Sequence, residues 1–416
     1  MLRRPSLVIA LAALPLAATA QPVQQKVTGP IAVYWVSAET RGGMAGPGGG
    51  GGLGGLVAGA LLGGPAQGGR FLTLQLGSSQ SPAGAPDASH FIPGAMNMGP
   101  ALPLVTPVAA KREREPHEPP EDWEREKPKG RMLIYWGCGE QTRAGQPIVI
   151  DFARLAAGQA PNFPAGVRVN VARGPAFGRN RSYGDWPNPK DHRPVPGNAS
   201  LVGEHQVKGN YSPEIRFAVD AATDFMPAPQ FGTPRRTPGG GMTVSWQPIP
   251  GATGWHLSTM GANRDQDLIL WSSSEIADMG WALATWLAPA EVARLVRERV
   301  VLAPSVTECT VPAEVIRQAE SPLLNFNGYG PELNVIHPPR PADPKITWEQ
   351  IYWVKVRQRT GAMLMLAEQA AGARRGADPA PTPADPAPPA QPAAAPTVTD
   401  AIKEGVGGVL RGIFGR

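Results

Sequence analysis

Glycine and proline interrupt this chain so often that composition alone places it near the border between folding and disorder. There are 50 glycines and 48 prolines among 416 residues, close to the proportion at which low complexity takes over. They are unevenly spread, so core-forming stretches survive between them. Those stretches are short and rich in β-branched and aromatic residues, the composition of strands. Residues 31–36, 71–76, 132–136, 147–152, 167–171, 201–207 and 214–219 all read this way. Short strands separated by turn signals predict a sandwich or barrel. At this length two or three domains are expected.

Residues 1–20 have the three parts of an export signal. Arg3 and Arg4 form a positive start, the stretch 7–16 is apolar and uncharged, and Ala18-Thr19-Ala20 offers small residues to a signal peptidase. The apolar run is about ten residues, half of what a membrane span needs. The expected cut precedes Gln21, and the mature chain is expected outside the cytoplasm, in the periplasm or at a membrane of the cell envelope. The formal charge of +5 is mild and forms no dense basic stripe, so nucleic acid is not an expected partner.

Two segments interrupt the first β-rich region. Residues 42–69 form a glycine-rich insert without a charge, in which Gly51, Gly55, Gly59 and Gly63 recur every four residues. On a helix they would line one face, where a second backbone can approach closely. In water glycine disfavours a helix by about 1 kcal/mol per residue, so the alternatives are a glycine zipper held by a membrane or partner, and a low-complexity loop. Residues 111–130 carry six basic and seven acidic residues with four prolines, the composition of a solvated linker or long loop.

From residue 239 the pattern sharpens. The stretch Met242-Thr243-Val244-Ser245-Trp246 is followed by Pro250-Gly251-Ala252-Thr253-Gly254-Trp255. A strand ending in tryptophan, then a Pro-Gly-Ala-x-Gly-aromatic turn into the next strand, resembles the second-to-third-strand region of fibronectin type III-like domains. The resemblance implies a β-sandwich over about 241–360, with 307–311 and 351–356 as later strands. One departure is a helix expected near 289–300. It opens with Pro289 in its first turn and carries Val292, Leu295, Val296 and Val300 at helical spacing. As a whole the chain resembles exported proteobacterial proteins to which no function is assigned.

The dipeptides Tyr34-Trp35, Tyr135-Trp136 and Tyr352-Trp353 recur in three expected strands. With period two, one ring of each pair faces the core and the other faces outward. Residues 371–399 are an Ala/Pro/Asp linker expected to be extended and disordered. Within the tail, 400–416, Ile402, Val406, Val409, Leu410, Ile413 and Phe414 fall on one helical face. The alternatives there are contact with a membrane surface or partner protein, docking on the chain itself, and disorder.

Little catalytic chemistry is legible. None of His90, His117, His192, His205, His256 and His337 stands at metal-ligand spacing from another. No nucleophile elbow or phosphate loop occurs, and no metal or cofactor is called for. Cys138 and Cys309 are the only cysteines, and in an oxidising compartment they could bridge or remain buried thiols. Tyr183, Trp186 and Trp123 fall in polar stretches, where aromatics either stack on a ligand or cap the core.

The fold expected is mainly β, with two sandwich-like regions over 21–225 and 228–360. The function expected is that of a non-enzymatic envelope protein that binds or holds something through its β regions. The alternative is a secreted carbohydrate-binding or carbohydrate-degrading protein. Hydrolysis would require an aromatic cleft with two carboxylates about 5–10 Å apart.

Overall fold

The computed structural model describes residues 24–43, 68–108, 130–160, 166–278 and 282–366. The export signal, the zipper glycines Gly51, Gly55, Gly59 and Gly63, Trp123, the linker and the apolar tail face lie outside the described residues.

The chain is mainly β. Its first half forms β1 (Val27–Thr28), β2 (Ala32–Arg41), β3 (Gly69–Ser78), β4 (Ala88–Phe91), β5 (Ala101–Pro103), β6 (Arg131–Trp136) and β7 (Ile148–Asp151). Helix α1 (Phe152–Ala156), β8 (Ser182–Trp186), β9 (Gly203–Gly209) and β10 (Ser212–Val219) follow. The second half forms β11 (Arg235–Arg236), β12 (Met242–Ser245), β13 (Gly254–Ala262), β14 (Leu268–Ser272), α2 (Pro289–Arg297) and β15 (Glu308–Val311). It ends with α3 (Ala313–Gln318), β16 (Glu320–His337), β17 (Trp348–Glu349) and β18 (Tyr352–Met365).

One nine-stranded sheet organises the molecule, in the order β7-β6-β14-β13-β16-β18-β2-β3-β8. Both sequence regions contribute to it. The joins are parallel: β6 pairs with β14, and β2 pairs with β18 from Ala32↔Tyr352 to Arg41↔Gly361. Two smaller sheets cover opposite ends of the same face. The four-stranded sheet β10-β9-β4-β5 closes a core holding Tyr34, Val36, Leu74, Leu76, Phe217 and Val354. The three-stranded sheet β11-β12-β15 closes another holding Val244, Trp255, Trp271, Val311, Phe326 and Leu364. The result is two sandwich layers on a shared floor. The long hairpin of β16 and β18 runs under both, since Tyr352, Val354 and Val356 enter the first core while Ala362 and Leu364 enter the second.

Alternation decides which rings go where. Tyr34, Tyr135 and Tyr352 are buried in these cores. Trp35, Trp136 and Trp353, one residue on, point to the other face, as a period of two requires. Trp35 and Trp353 meet there edge to face, with centroids 6.3 Å apart.

Elsewhere the local expectations and the structure diverge. Residues 167–171 do not pair in a sheet. Val167 and Val169 instead pack against the core beside α2, and Asn170 donates to the Glu291 carboxylate from its backbone (2.8 Å) and side chain (3.0 Å). The alternation is real, but its buried face meets a helix. Residues 78–110, which show no periodicity, hold β4 and β5. The polar stretch 174–197 contains β8, whose Tyr183 and Trp186 are buried at 5% and 2% exposure. Trp186 caps the first core, whereas Tyr183 lies on the outer face with its hydroxyl between Gln75 and Asp185. Helix α2 starts at Pro289 and buries Val292 and Leu295.

Cys138 and Cys309 are joined by a disulfide, their Cα atoms 5.3 Å apart. The bond links the loop after β6 to β15, so it fastens the floor sheet to its three-stranded cover across 171 residues of sequence.

Candidate functional site

The outer face of the floor sheet departs from an ordinary solvated surface. On β2 the outward residues are Trp35, Ser37 and Glu39, and on β18 they are Lys355, Arg357 and Arg359. The parallel register sets Trp35 beside Lys355, Ser37 beside Arg357, and Glu39 beside Arg359. The cations and indoles interlock. Lys355 Nζ lies 5.4 Å from the Trp35 ring centre and 5.5 Å from that of Trp353. The Arg357 guanidinium lies 4.5 Å from Trp35 and 4.6 Å from Trp286. Arg359 lies 4.6 Å from Trp286. Each contact is favourable because the negative ring face meets a cation, more so where water is excluded.

Two carboxylates answer part of this charge. Glu332 pairs with Lys355 at 2.6 Å, with both side chains buried. Glu39 takes Arg41 at 2.8 Å and Arg359 at 2.9 Å. Burial opposes ionisation of Glu39, but Arg359 and Arg41 outweigh it and hold the carboxyl below its ordinary value. Both carboxylates are therefore committed to cations.

Arg357 is treated differently. Its Nε donates to Ser37 Oγ at 2.7 Å, and it has no carboxylate partner among the described residues. Burial pushes its guanidinium down to about 10, with Glu332 partly opposing and Arg359 adding to the fall. It remains charged at neutral pH.

A cleft of about 330 Å3 opens at this point, lined by Trp35, Gln75, Arg357, the chain at 171–176, Arg179 and Thr285-Trp286. Its wall is locally built. Arg179 donates to the Gly174 carbonyl, and Asn180 accepts from the Ala176 backbone at 3.1 Å. Gln75 ties the wall to β3 through the Pro175 carbonyl at 3.2 Å. Gly174 lies flat on Trp35, where a Cβ would come within 2.6 Å of the ring. Only glycine allows that approach. One strand out, the Asp185 carboxylate accepts from the Tyr183 hydroxyl at 3.2 Å, and burial pushes its carboxyl up.

A second polar assembly is internal. The Tyr34 hydroxyl meets His90 Nδ1 at 2.8 Å, His90 Nε2 meets His205 Nδ1 at 2.9 Å, and His205 Nε2 meets the Leu201 carbonyl at 2.6 Å. The carbonyl can only accept, which fixes every proton. His205 donates from Nε2, His90 donates from Nε2 to His205, and Tyr34 donates to His90. Burial lowers both imidazoles, so both are neutral. The relay holds the first core together and does not reach the cleft.

Of the residues singled out in the sequence, Cys138 and Cys309 are brought together, and as a disulfide neither serves as a nucleophile. Apart from Trp35, the residues that build the cleft were not singled out. Trp35 carried a signal, the outward ring of a Tyr-Trp pair. Arg357 and Arg359 fall beyond the strand expected at 351–356, and Trp286 and Gly174 carried no signal. Among the described residues no group of three or more ligand-type side chains could hold a metal. Also among them, no helix is long and apolar enough to cross a membrane. No protein-family model and no curated protein sequence matches this chain.

Proposed function

We propose that this is an exported cell-envelope protein, a non-enzymatic binding module that uses the outer face of its floor sheet. The observation that carries the reading is the cleft itself, where tryptophans and arginines from four separated segments converge. Interlocked indoles and guanidiniums form a preorganised surface, since their rotamers are fixed before a ligand arrives. Hydrolysis of a carbohydrate is the weaker reading, because Glu39 and Glu332 already serve as counter-ions and neither is disposed to act as a general acid.

The fibronectin type III-like reading of 241–360 belongs to the same proposal. It is supported by seven strands, of which β11 (Arg235–Arg236) just precedes that range. The three-stranded sheet β11-β12-β15 lies over β14-β13-β16-β18, and β12, which runs into Trp246, and β13, which holds Trp255, fall in different sheets, as in a sandwich of that kind. Export rests on residues 1–20, and membrane or partner contact on the apolar tail.

Co-sedimentation of the purified mature protein with insoluble envelope polymer from the producing cells tests the reading. Wild type should pellet with the polymer and Trp286→Ala should stay in solution. A wild-type protein that never pellets would overturn it. In fractionated cells the full-length protein should lie outside the cytoplasm and begin at Gln21, and deleting 398–416 should release it from the membrane fraction. An uncut cytoplasmic product removes the export assignment, and unchanged fractionation removes the tail.

A further inference from the structure

Donors and acceptors do not balance in the cleft. Lys355, Arg359 and Arg41 are matched by Glu332 and Glu39. Arg357 is not matched, and neither are Arg173 and Arg179 on the facing wall, which pair with no carboxylate among the described residues. The amino groups of Arg357 are also without a hydrogen-bond acceptor there, since only its Nε is engaged, by Ser37. A further donor on a lining residue lacks an acceptor: Trp35 Nε1 is buried and unpaired. A guanidinium drawn partly out of water without a counter-ion is costly, and the depression of Arg357 to about 10 expresses that cost.

From this surplus we infer that the cleft is an oxyanion site, taking a carboxylate or phosphate group carried on a ligand of about one sugar ring. The inference rests on the binding role proposed above and supplies its chemistry. Trp35 and Trp286 hold the Arg357 plane, so its two amino groups can meet two oxygens at once, the geometry for which a guanidinium is suited and an ammonium is not. Arg173 and Arg179, both exposed, add charge from the opposite wall. The cleft volume of about 330 Å3 accommodates a ring with its anionic group, at the small end of ligand pockets.

The test is tryptophan-fluorescence titration with glucuronate, glucose 6-phosphate and neutral glucose. Glucuronate and glucose 6-phosphate report which oxyanion is preferred, and glucose reports the ring alone. Saturable binding of at least one anion is expected, with glucose far weaker. Arg357→Gln should weaken the anion by about 10- to 100-fold, the loss of a charge-assisted pair. Arg357→Lys should recover only part of that. Arg173→Ala, on an exposed residue that makes no bond within the wall, should weaken it several-fold and leave the glucose response unchanged. Glucose binding as tightly as the anions, or no saturable anion binding, overturns the oxyanion assignment. The co-sedimentation result judges the binding role separately, because polymer capture that survives Arg357→Gln but not Trp286→Ala would keep the cleft and discard the anion.

Discussion

Acid should destabilise this protein through His256. That residue lies on β13 with 0% exposure, and neither ring nitrogen has a hydrogen-bond partner among the described residues. Burial pushes its imidazolium down from 6.5 to about 4. The folded state thus refuses a proton that the unfolded state accepts. Stability is complete above the unfolded value of 6.5, declines as pH falls, and stops declining below the folded value of about 4. At 1.36 kcal/mol per unit, the loss is about 2 kcal/mol by pH 5 and about 3 kcal/mol below pH 4. Against a typical total of about 5–15 kcal/mol that is a large share. His90 and His205 are lowered in the same direction, so wild type alone does not isolate His256. Urea unfolding of wild type and His256→Gln from pH 7.5 to pH 4 does. The difference in their pH slopes between 6.5 and 4 is the His256 contribution. Parallel slopes would refute the reasoning and mean that the buried imidazole finds a proton partner or water in solution.

Two further outcomes follow from the packing. Replacing Cys138 and Cys309 together by serine frees 171 residues of sequence from closure, and a chain-entropy argument puts the loss at about 5 kcal/mol. Thermal melts with and without reductant should show it, and alkylation of both thiols in unreduced protein would contradict the bond. Gly174→Val should force the cleft wall off Trp35, since even a Cβ meets the ring at 2.6 Å. Tryptophan fluorescence and polymer capture should both change while the melting temperature moves little, because the wall lies outside the two main cores. An unchanged fluorescence spectrum would show that the wall does not rest on Trp35.

The parts of the fold legible in the sequence were those governed by local alternation. The Tyr-Trp pairs foretold their own geometry because a strand has only two faces. The helix at Pro289 was legible from its first-turn proline and its apolar spacing. Strand β16 was not, although at 18 residues it is the longest element among the described residues. Pro322, Pro331, Gly328 and Gly330 punctuate it as a turn region would be punctuated. It persists because β13 and β18 hydrogen-bond to its two sides, and Pro331 falls in the register shift between Tyr329 and Glu332, where a missing donor is tolerated. The shared floor sheet was equally hidden, since parallel joins such as β2 to β18 link residues about 320 apart. The cleft inherits that limit. Its tryptophans, arginines and Gly174 come from segments that no local pattern connects, and the same holds for His90 and His205, 115 residues apart.

The most direct test of the binding face is to watch the indole protons by two-dimensional NMR while soluble fragments of envelope polymer are added. The Trp35 and Trp286 signals should shift and saturate together. Those of Trp246, Trp255 and Trp271, which lie in the second core, should stay in place. Shifts confined to other tryptophans, or no shift in Trp35 and Trp286 at saturating fragment, would contradict the assignment of this face as the site.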